Sequence, residues 1–207
     1  DGGSLKLEGL NISGASAPDV AGNSLIRTSR YSMLNGYDLL IIDCEISDLD
    51  VNHSFNVLTV AKSTFAEHIQ IRDSSFNNIT GAVLALDKET DDLGLYNAEY
   101  VVIADSSFNN IGKALLSIYR GGTDESTFGP HVEIRGAALS SVGKNKRNKT
   151  AASVLMHGVQ VASIKDNQFS DSKPIRVVQT VGEPKTRIED NRFIDTAGPE
   201  IIDGPAV

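Results

Sequence analysis

The feature that most constrains this chain is a stretch it contains twice. Ile71 to Leu86 reads IRDSSFNNITGAVLAL, and Ile103 to Ile118 reads IADSSFNNIGKALLSI. Self-similarity at a period of roughly 20–50 residues marks a solenoid, a propeller or an array. Both copies have the same grammar. A short apolar strand closes at Ile71 or Ile103, an Asp-Ser-Ser turn follows, and a phenylalanine precedes a pair of asparagines. A second apolar run, Val83 to Leu86 in the first copy, completes the unit.

Weaker copies run along the whole chain. The equivalents of Ile71 are Leu7, Ile41, Ile103, Ile134, Ile164 and Ile188, at intervals of 24 to 34 residues. Five residues after these anchors stand Ile12, Ile46, Phe76, Phe108, Leu139, Phe169 and Phe193, all large and apolar. Two residues after them stand Asp43, Asp73, Asp105, Asp166 and Asp190, with Gly9 and Gly136 as exceptions. Eight residues after them stand Leu49, Ile79, Ile111 and Val142, fading to Ser172 and Thr196.

The apolar runs are short, rich in Val and Ile, and bounded by Gly, Asn, Asp and Ser, which is strand-and-turn chemistry. None approaches the length of a membrane span, so no membrane partner is expected. A net charge of −8 argues against a nucleic-acid partner, because phosphate binding needs a basic surface. The single Cys44 rules out an internal disulfide. It follows Asp43 where other copies place serine or asparagine, and reads as a small turn residue rather than a nucleophile. No signal peptide opens the chain, which begins Asp1-Gly2-Gly3 and enters the first repeat by Leu5. Residues 1–207 are therefore expected to form a single domain that is a segment of a longer protein.

A unit of about thirty residues with two or three short strands cannot bury its own apolar face, but stacked copies can. The expected fold is all-β: a parallel β-helix of about seven rungs. Phe76 should lie over Phe108, Ile71 over Ile103, and Leu84 and Leu86 over Leu116 and Ile118. The asparagine pairs should form a ladder, and the aspartates should brace the turn by bonding backbone N–H groups. Leucine-rich repeats are shorter, and a propeller needs four antiparallel strands per unit. The surplus over a minimal rung leaves as loops at Asp87 to Asn97, Arg120 to Pro130 and Gly143 to Thr150. These follow comparable places in their units and should lie on one side. A further excursion spans Ser13 to Tyr37. Beyond Lys185 the rungs shorten, and Gly198-Pro199 and Gly204-Pro205 read as the end of a stack that a partner completes.

Four stretches could carry chemistry. LDKETDDLGLYN holds Asp87, Glu89, Asp91 and Asp92. Calcium wants six to eight oxygens, but the EF-hand spacing fails, and a solvated acidic loop with Lys88 as internal counter-charge is the simpler reading. YRGGTDESTFGPH places Arg120 and His131 on one excursion. Arg120 there is either a two-point carboxylate clamp or the partner of Asp124 or Glu125 in a loop-shaping salt bridge. KNKRNK puts Lys144, Lys146, Arg147 and Lys149 in six residues of an acidic protein, and attraction for a polyanion is the functional reading. Lys62 and His157 read most simply as outward-facing strand residues. No zinc motif, P-loop, dinucleotide fingerprint or nucleophile elbow is present.

NHSFNVLTVAKSTFA, LDKETDDLGLYNAEYV, YRGGTDESTFGPH, KRNKTAAS and HGVQ together resemble the C-terminal half of two-domain alginate lyases, polysaccharide lyase family six, of the chondroitinase B type. The resemblance runs from about Gly3 to Pro199. It implies a right-handed parallel β-helix and a secreted or periplasmic bacterial enzyme that cleaves alginate by β-elimination. It also implies that catalysis and calcium belong to an N-terminal domain: the Asn-Gly-Glu cluster, Lys-Ser strand and Arg-His-Gly strand of that domain are missing here, and Lys62-Ser63 is only a dipeptide echo. No catalytic residue and no cofactor are therefore assigned to this segment. The role implied is accessory: packing on the catalytic domain, shaping the substrate groove and helping a homodimer form. The groove-side, substrate-binding candidates are Lys62, Lys88, Arg120, His131, Lys146, Arg147, Lys149 and His157. Two other readings stand beside it, a self-contained calcium-dependent lyase with Lys62 as base, and a purely structural β-helix.

Overall fold

The computed structural model describes residues 3–28, 36–89, 94–121 and 129–204. The chain runs as 21 strands, three to a rung. The first rung is β1 (Ser4–Glu8), β2 (Asn11–Ser13) and β3 (Ser24–Arg27), and the second is β4 (Tyr37–Ile42), β5 (Glu45–Leu49) and β6 (Asn56–Thr59). The third is β7 (Ala66–Arg72), β8 (Ser75–Ile79) and β9 (Leu84–Leu86), and the fourth is β10 (Ala98–Ala104), β11 (Ser107–Ile111) and β12 (Leu116–Tyr119). The fifth is β13 (His131–Arg135), β14 (Ala138–Val142) and β15 (Val154–His157), and the sixth is β16 (Val161–Lys165), β17 (Gln168–Ser170) and β18 (Ile175–Gln179). The seventh is β19 (Lys185–Glu189), β20 (Arg192–Ile194) and β21 (Glu200–Asp203). First, second and third strands of the rungs pair only with their counterparts, giving three parallel sheets, A, B and C, of seven strands each. This is a parallel β-helix, and no helix occurs among the described residues.

The register reproduces the sequence columns. Leu7, Ile41, Ile71, Ile103, Ile134, Ile164 and Ile188 are stacked partners in sheet A. Ile12, Ile46, Phe76, Phe108, Leu139, Phe169 and Phe193 are stacked partners in sheet B. Leu84 and Leu86 lie beside Leu116 and Ile118 in sheet C. The rings of Phe76 and Phe108 stack at 5.0 Å, and those of Phe169 and Phe193 at 5.2 Å. Each fully buried side chain of this kind contributes roughly 1.5–3 kcal/mol, so the interior columns supply most of what holds successive rungs together.

The corner between sheets A and B explains the aspartate column differently from the sequence reading. Asp43, Asp73, Asp105, Asp166 and Asp190 all adopt positive φ, as do Gly9 and Gly136. The position requires a left-handed backbone, which Asp tolerates and Gly meets without strain. The two glycine exceptions obey the same rule. Turn bracing comes instead from the next residue. Ser74 and Ser106 hydroxyls and the Asn167 and Asn191 amides accept from the backbone N–H of the rung before them, at 2.8–3.1 Å. Cys44 occupies a slot in this buried ladder, as a small turn residue should.

Two further columns sharpen on inspection. Of each asparagine pair, the second residue forms the ladder: Asn110 Nδ2 donates to Asn78 Oδ1, and Asn78 Nδ2 to Asp48 Oδ1, at 3.0 and 3.1 Å. The fading apolar column becomes a hydroxyl ladder, in which Ser172 accepts from Val142 N–H and Thr196 from Ser172 N–H, both at 3.0 Å. The seventh rung is complete in all three sheets despite its short period.

The excursions do not all leave from comparable places. Segments 87–97 and 120–130 connect sheet C to sheet A, whereas 143–153 connects sheet B to sheet C. Residues 14–36 contain β3, so that stretch is two connections rather than one excursion. The two corners nonetheless flank the same sheet, C.

Candidate functional site

The outward residues of β6, β9 and β12 are Thr59, Ala85 and Ser117, paired side by side. Small side chains here leave sheet C with a low floor. Three connections rise around it. Lys88 follows β9, Lys113 precedes β12, and Arg147 and Lys149 come from the connection before β15. They enclose a cleft of about 360 Å³ whose lining also includes Asn56, Ala82, Ala114 and Asn148.

The basic connection is held in shape by its own amide. Asn148 Nδ2 donates to the carbonyls of Gly143 and Ala152 at 2.8 and 2.9 Å, and Asn148 Oδ1 accepts from Thr150 Oγ1 at 2.7 Å. The staple turns Arg147 and Lys149 toward the cleft. Lys144 goes the other way, to Asp171 at 2.5 Å, and the bonds from Lys144 and Ser141 hold the Asp171 carboxyl below the usual carboxylate range. Lys146 is exposed and does not line the cleft.

Burial pushes the Lys113 ammonium below its ordinary pKa, and the nearby charges of Lys88, Arg147 and Lys149 push the same way against Asp87. Among the described residues, Lys88, Lys113, Arg147 and Lys149 form no ion pair. A carboxylate entering this cleft would relieve the mutual repulsion. Lys88 also lines an adjoining hollow of about 550 Å³ with Arg27, Thr28, Thr59 and Lys62. Lys88 thus borders both depressions. Lys62 lies in the turn between β6 and β7, not on a strand.

The other sequence candidates lie elsewhere. His157 ends β15 on sheet C, its ring 4.6 Å from that of Tyr119, and burial lowers its pKa. It lines neither depression. Arg120 is only 2% exposed, donates from Nη1 to the Gly129 carbonyl at 2.9 Å, and lies 5.6 Å from the Tyr96 ring centroid. It is built into the wall rather than presented as a clamp. Asp124 and Glu125, its proposed salt-bridge partners, lie outside the described residues. His131 begins β13 on sheet A, where its ring continues a ladder from His68 through Tyr100 with centroids 5.3 and 5.0 Å apart.

The acidic loop is less solvated than its composition predicts. Glu89 is 1% exposed and accepts from Ser63 N–H, while Asp87 accepts from Ser117 Oγ at 2.8 Å. Asn97 braces the same corner, donating to the Thr64 carbonyl at 2.9 Å. Asp91 and Asp92 lie outside the described residues. The two described carboxylates are engaged with neighbouring rungs and do not converge as a calcium cage. The one His and carboxylate cluster of metal-binding proximity among the described residues is Asp38, Glu67 and His68, on the sheet A side, where His68 and Asp38 already bond at 3.0 Å. A wider groove, about 820 Å³, follows the corner between sheets A and B. Asp43, Asp73 and Asp105 line it at successive rungs, so it repels a polyanion despite its size.

Lys113 is the cleft residue that the sequence reading missed. Its signal is the mismatch between the repeat copies: Lys113 occupies the slot that Gly81 fills in the other. A charge at a position the repeat does not require is free to serve the surface.

No protein-family model and no curated protein matches the chain. Among solved structures it is similar to the PL6 family alginate lyase AlyGC, with a TM-score of 0.95 and 46% sequence identity. The match covers 97% of this chain and 28% of that one. A mutant form of the same enzyme matches with the same values. By fold and sequence this chain is similar to a segment of that PL6 family alginate lyase, and it spans 28% of that enzyme's length.

Proposed function

We propose that this chain is an accessory β-helix domain of a secreted or periplasmic polyuronate lyase acting on alginate by β-elimination. Its task is to hold the acidic polysaccharide for a catalytic domain on the same polypeptide. The observation that carries this reading is the cationic cleft on sheet C, built in a chain of net charge −8. A protein with surplus negative charge that gathers Lys88, Lys113, Arg147 and Lys149 over one floor has a specific use for an anion there.

Elimination from a uronate requires loss of the C5 proton beside the carboxylate. Neutralising that carboxylate acidifies the proton, a base removes it, and a donor assists the leaving oxygen. The residues of this chain serve the binding side of that scheme. They offer ammonium and guanidinium groups to carboxylates, and among the described residues the cluster of metal-binding proximity, Asp38, Glu67 and His68, lies on the sheet A side instead. Calcium, the base and the donor are assigned to the catalytic domain. The end rungs fit a packing role: Leu5 and Leu10 in the first, and Ile201 and Ile202 in the last, are 40–53% exposed. Such ends call for cover, which a neighbouring domain or a second copy in a homodimer would supply.

The test is to assay this chain on alginate for the ultraviolet absorbance of unsaturated products, and to measure alginate binding in parallel. Binding without turnover is expected. Chelator-sensitive turnover that Lys62→Ala abolishes would replace the accessory role with a self-contained lyase.

A further inference from the structure

The outer face of sheet A carries a group of side chains that neither the interior columns nor the cleft on sheet C uses. Residues of a strand alternate between its two faces, so two successive outward residues break the pattern. β7 contains such a break: Ala66 and Ile69 are buried, while Glu67 and His68 between them are exposed. The cause is a register shift against β4, where Tyr37 pairs with Ala66 and the next residue, Asp38, pairs with His68. Glu67 is the extra residue of a β-bulge, a device that re-aims a side chain. It is aimed beside Asp38 and His68, and the ligand atoms of all three lie within 4.8 Å of one another.

Each member is positioned by a different neighbour. His68 Nδ1 and Asp38 Oδ1 are 3.0 Å apart across the two rungs. The His68 ring is held by that of Tyr100, stacked 5.3 Å away at 13°. Glu67 packs over Gly36, where a Cβ would come within 2.5 Å of its Cγ and 2.8 Å of its Oε1. The next rung shows how a glutamate at this place can serve the fold. Glu99 precedes Tyr100 as Glu67 precedes His68, and its carboxylate accepts from the Tyr96 hydroxyl and Gly129 N–H at 2.5 and 3.0 Å. Among the described residues Glu67 has no such partner, and no lysine or arginine pairs with it or with Asp38. Two carboxylates set together on an open face repel each other and favour a cation between them.

We propose that Asp38, Glu67 and His68 bind one divalent transition ion of the zinc class, which clips the second rung to the third. The imidazole selects this class, whereas calcium takes six to eight oxygens. Zinc holds nitrogen and carboxylate ligands at about 2.0–2.2 Å, so neighbouring ligands of a tetrahedral site lie about 3.3–3.6 Å apart. Asp38 and His68 stand close to that spacing already, and rotation of the exposed Glu67 side chain brings in the third donor. Water fills the fourth position. Tyr100 supplies the outer support that fixes the plane of a ligating imidazole. The clip does not depend on the polyuronate reading.

The experiment is calorimetric titration of the whole chain, free of any histidine tag and stripped with chelator, with zinc chloride. One saturable site per chain is expected, and calcium chloride at the same concentrations should show none. Glu67→Gln and His68→Gln should each weaken zinc binding about tenfold or more, and Gly36→Ala, which removes no ligand but fills the space that Glu67 occupies, roughly tenfold. His131→Gln, at the far end of the same ring ladder, should leave it unchanged. Metal-free Glu67→Gln should melt as the parent does, which separates lost ligation from lost folding. Bound zinc should raise the melting temperature of the parent and slow hydrogen exchange in β4 and β7. No zinc binding up to millimolar concentration, binding that Glu67→Gln leaves intact, or an equal loss from His131→Gln would overturn the site. Calcium bound as tightly as zinc would overturn the class of ion.

Discussion

Truncating Phe108 to alanine tests the stacking that the whole architecture depends on. Phe108 is 1% exposed, and its ring lies 5.0 Å from that of Phe76 at 16° between planes. Leu139 is its partner on the other side. The ring is thus enclosed by sheet walls laterally and by column neighbours above and below. Removing it leaves a cavity that two rigid sheets cannot collapse, at a cost of about 3–5 kcal/mol. Of that, about 0.5–1.5 kcal/mol belongs to the ring pair itself. Phe193 offers the same chemistry in the same column, but on the last rung, half-buried and stacked on one face only. Its truncation should cost roughly half the full burial value of a phenylalanine, about 1–1.5 kcal/mol. For a domain of this size each kcal/mol moves the melting temperature by about 2–4 °C, so the two variants should separate by several degrees. Solenoid rungs contact only their neighbours. Hydrogen exchange should therefore show lost protection in β8, β11 and β14 for Phe108→Ala, and only near β17 and β20 for Phe193→Ala. Equal melting shifts, or a larger one for Phe193→Ala, would refute the column as the source of stability.

Two other perturbations probe the corners. Gly136→Ala places a methyl against Asp105 Oδ1 at a residue with φ of +60°; it should cost at least the left-handed penalty of about 1–2 kcal/mol, and Asp105→Gly in the same chain should recover the steric share but not the backbone share, read as a double-mutant cycle in denaturant. His157 is held below the ordinary histidine pKa by burial, so the unfolded chain binds a proton more readily than the folded one: stability should fall as pH drops through the ordinary histidine value of about 6.5, and His157→Gln should flatten that part of the pH profile.

Sheets A and B were legible because their inward residues recur at fixed offsets from a single anchor. Ile71 and Phe76 name two interior columns, and every equivalent found by counting is a register partner in the structure. Legibility fell where a position served the backbone rather than the core. Five aspartates and two glycines share one slot because it needs positive φ, a requirement that side-chain chemistry alone disguises as turn bracing. Ser172 and Thr196 looked like decay of an apolar column, but at the shorter rungs their hydroxyls satisfy the neighbouring N–H directly. Connections were least legible. Counting residues found each surplus but could not tell the corner between B and C from the corner between C and A. The composition of 87–97 also gave no sign that Glu89 is buried against Ser63.

The division between wall and corner also explains how an acidic protein keeps a cationic face. The interior columns fix the rung geometry and leave outward strand positions weakly constrained, so charge there follows function rather than fold. Sheet A spends its exposed positions on short-range pairs, Arg135 with Asp105 and Glu133, and Lys165 with Asp190, which cancel locally. The corner between A and B accumulates aspartate for backbone reasons and becomes a negative groove as a by-product. Around the sheet C cleft Lys88, Lys113, Arg147 and Lys149 outnumber the one lining carboxylate, Asp87, and stand over residues too small to cover them. Repulsion among Lys88, Lys113, Arg147 and Lys149 is tolerated because the stack beneath does not depend on those side chains. A site of this kind costs the fold little, and the same independence predicts that neutralising any one of the four changes anion affinity far more than it changes the melting temperature.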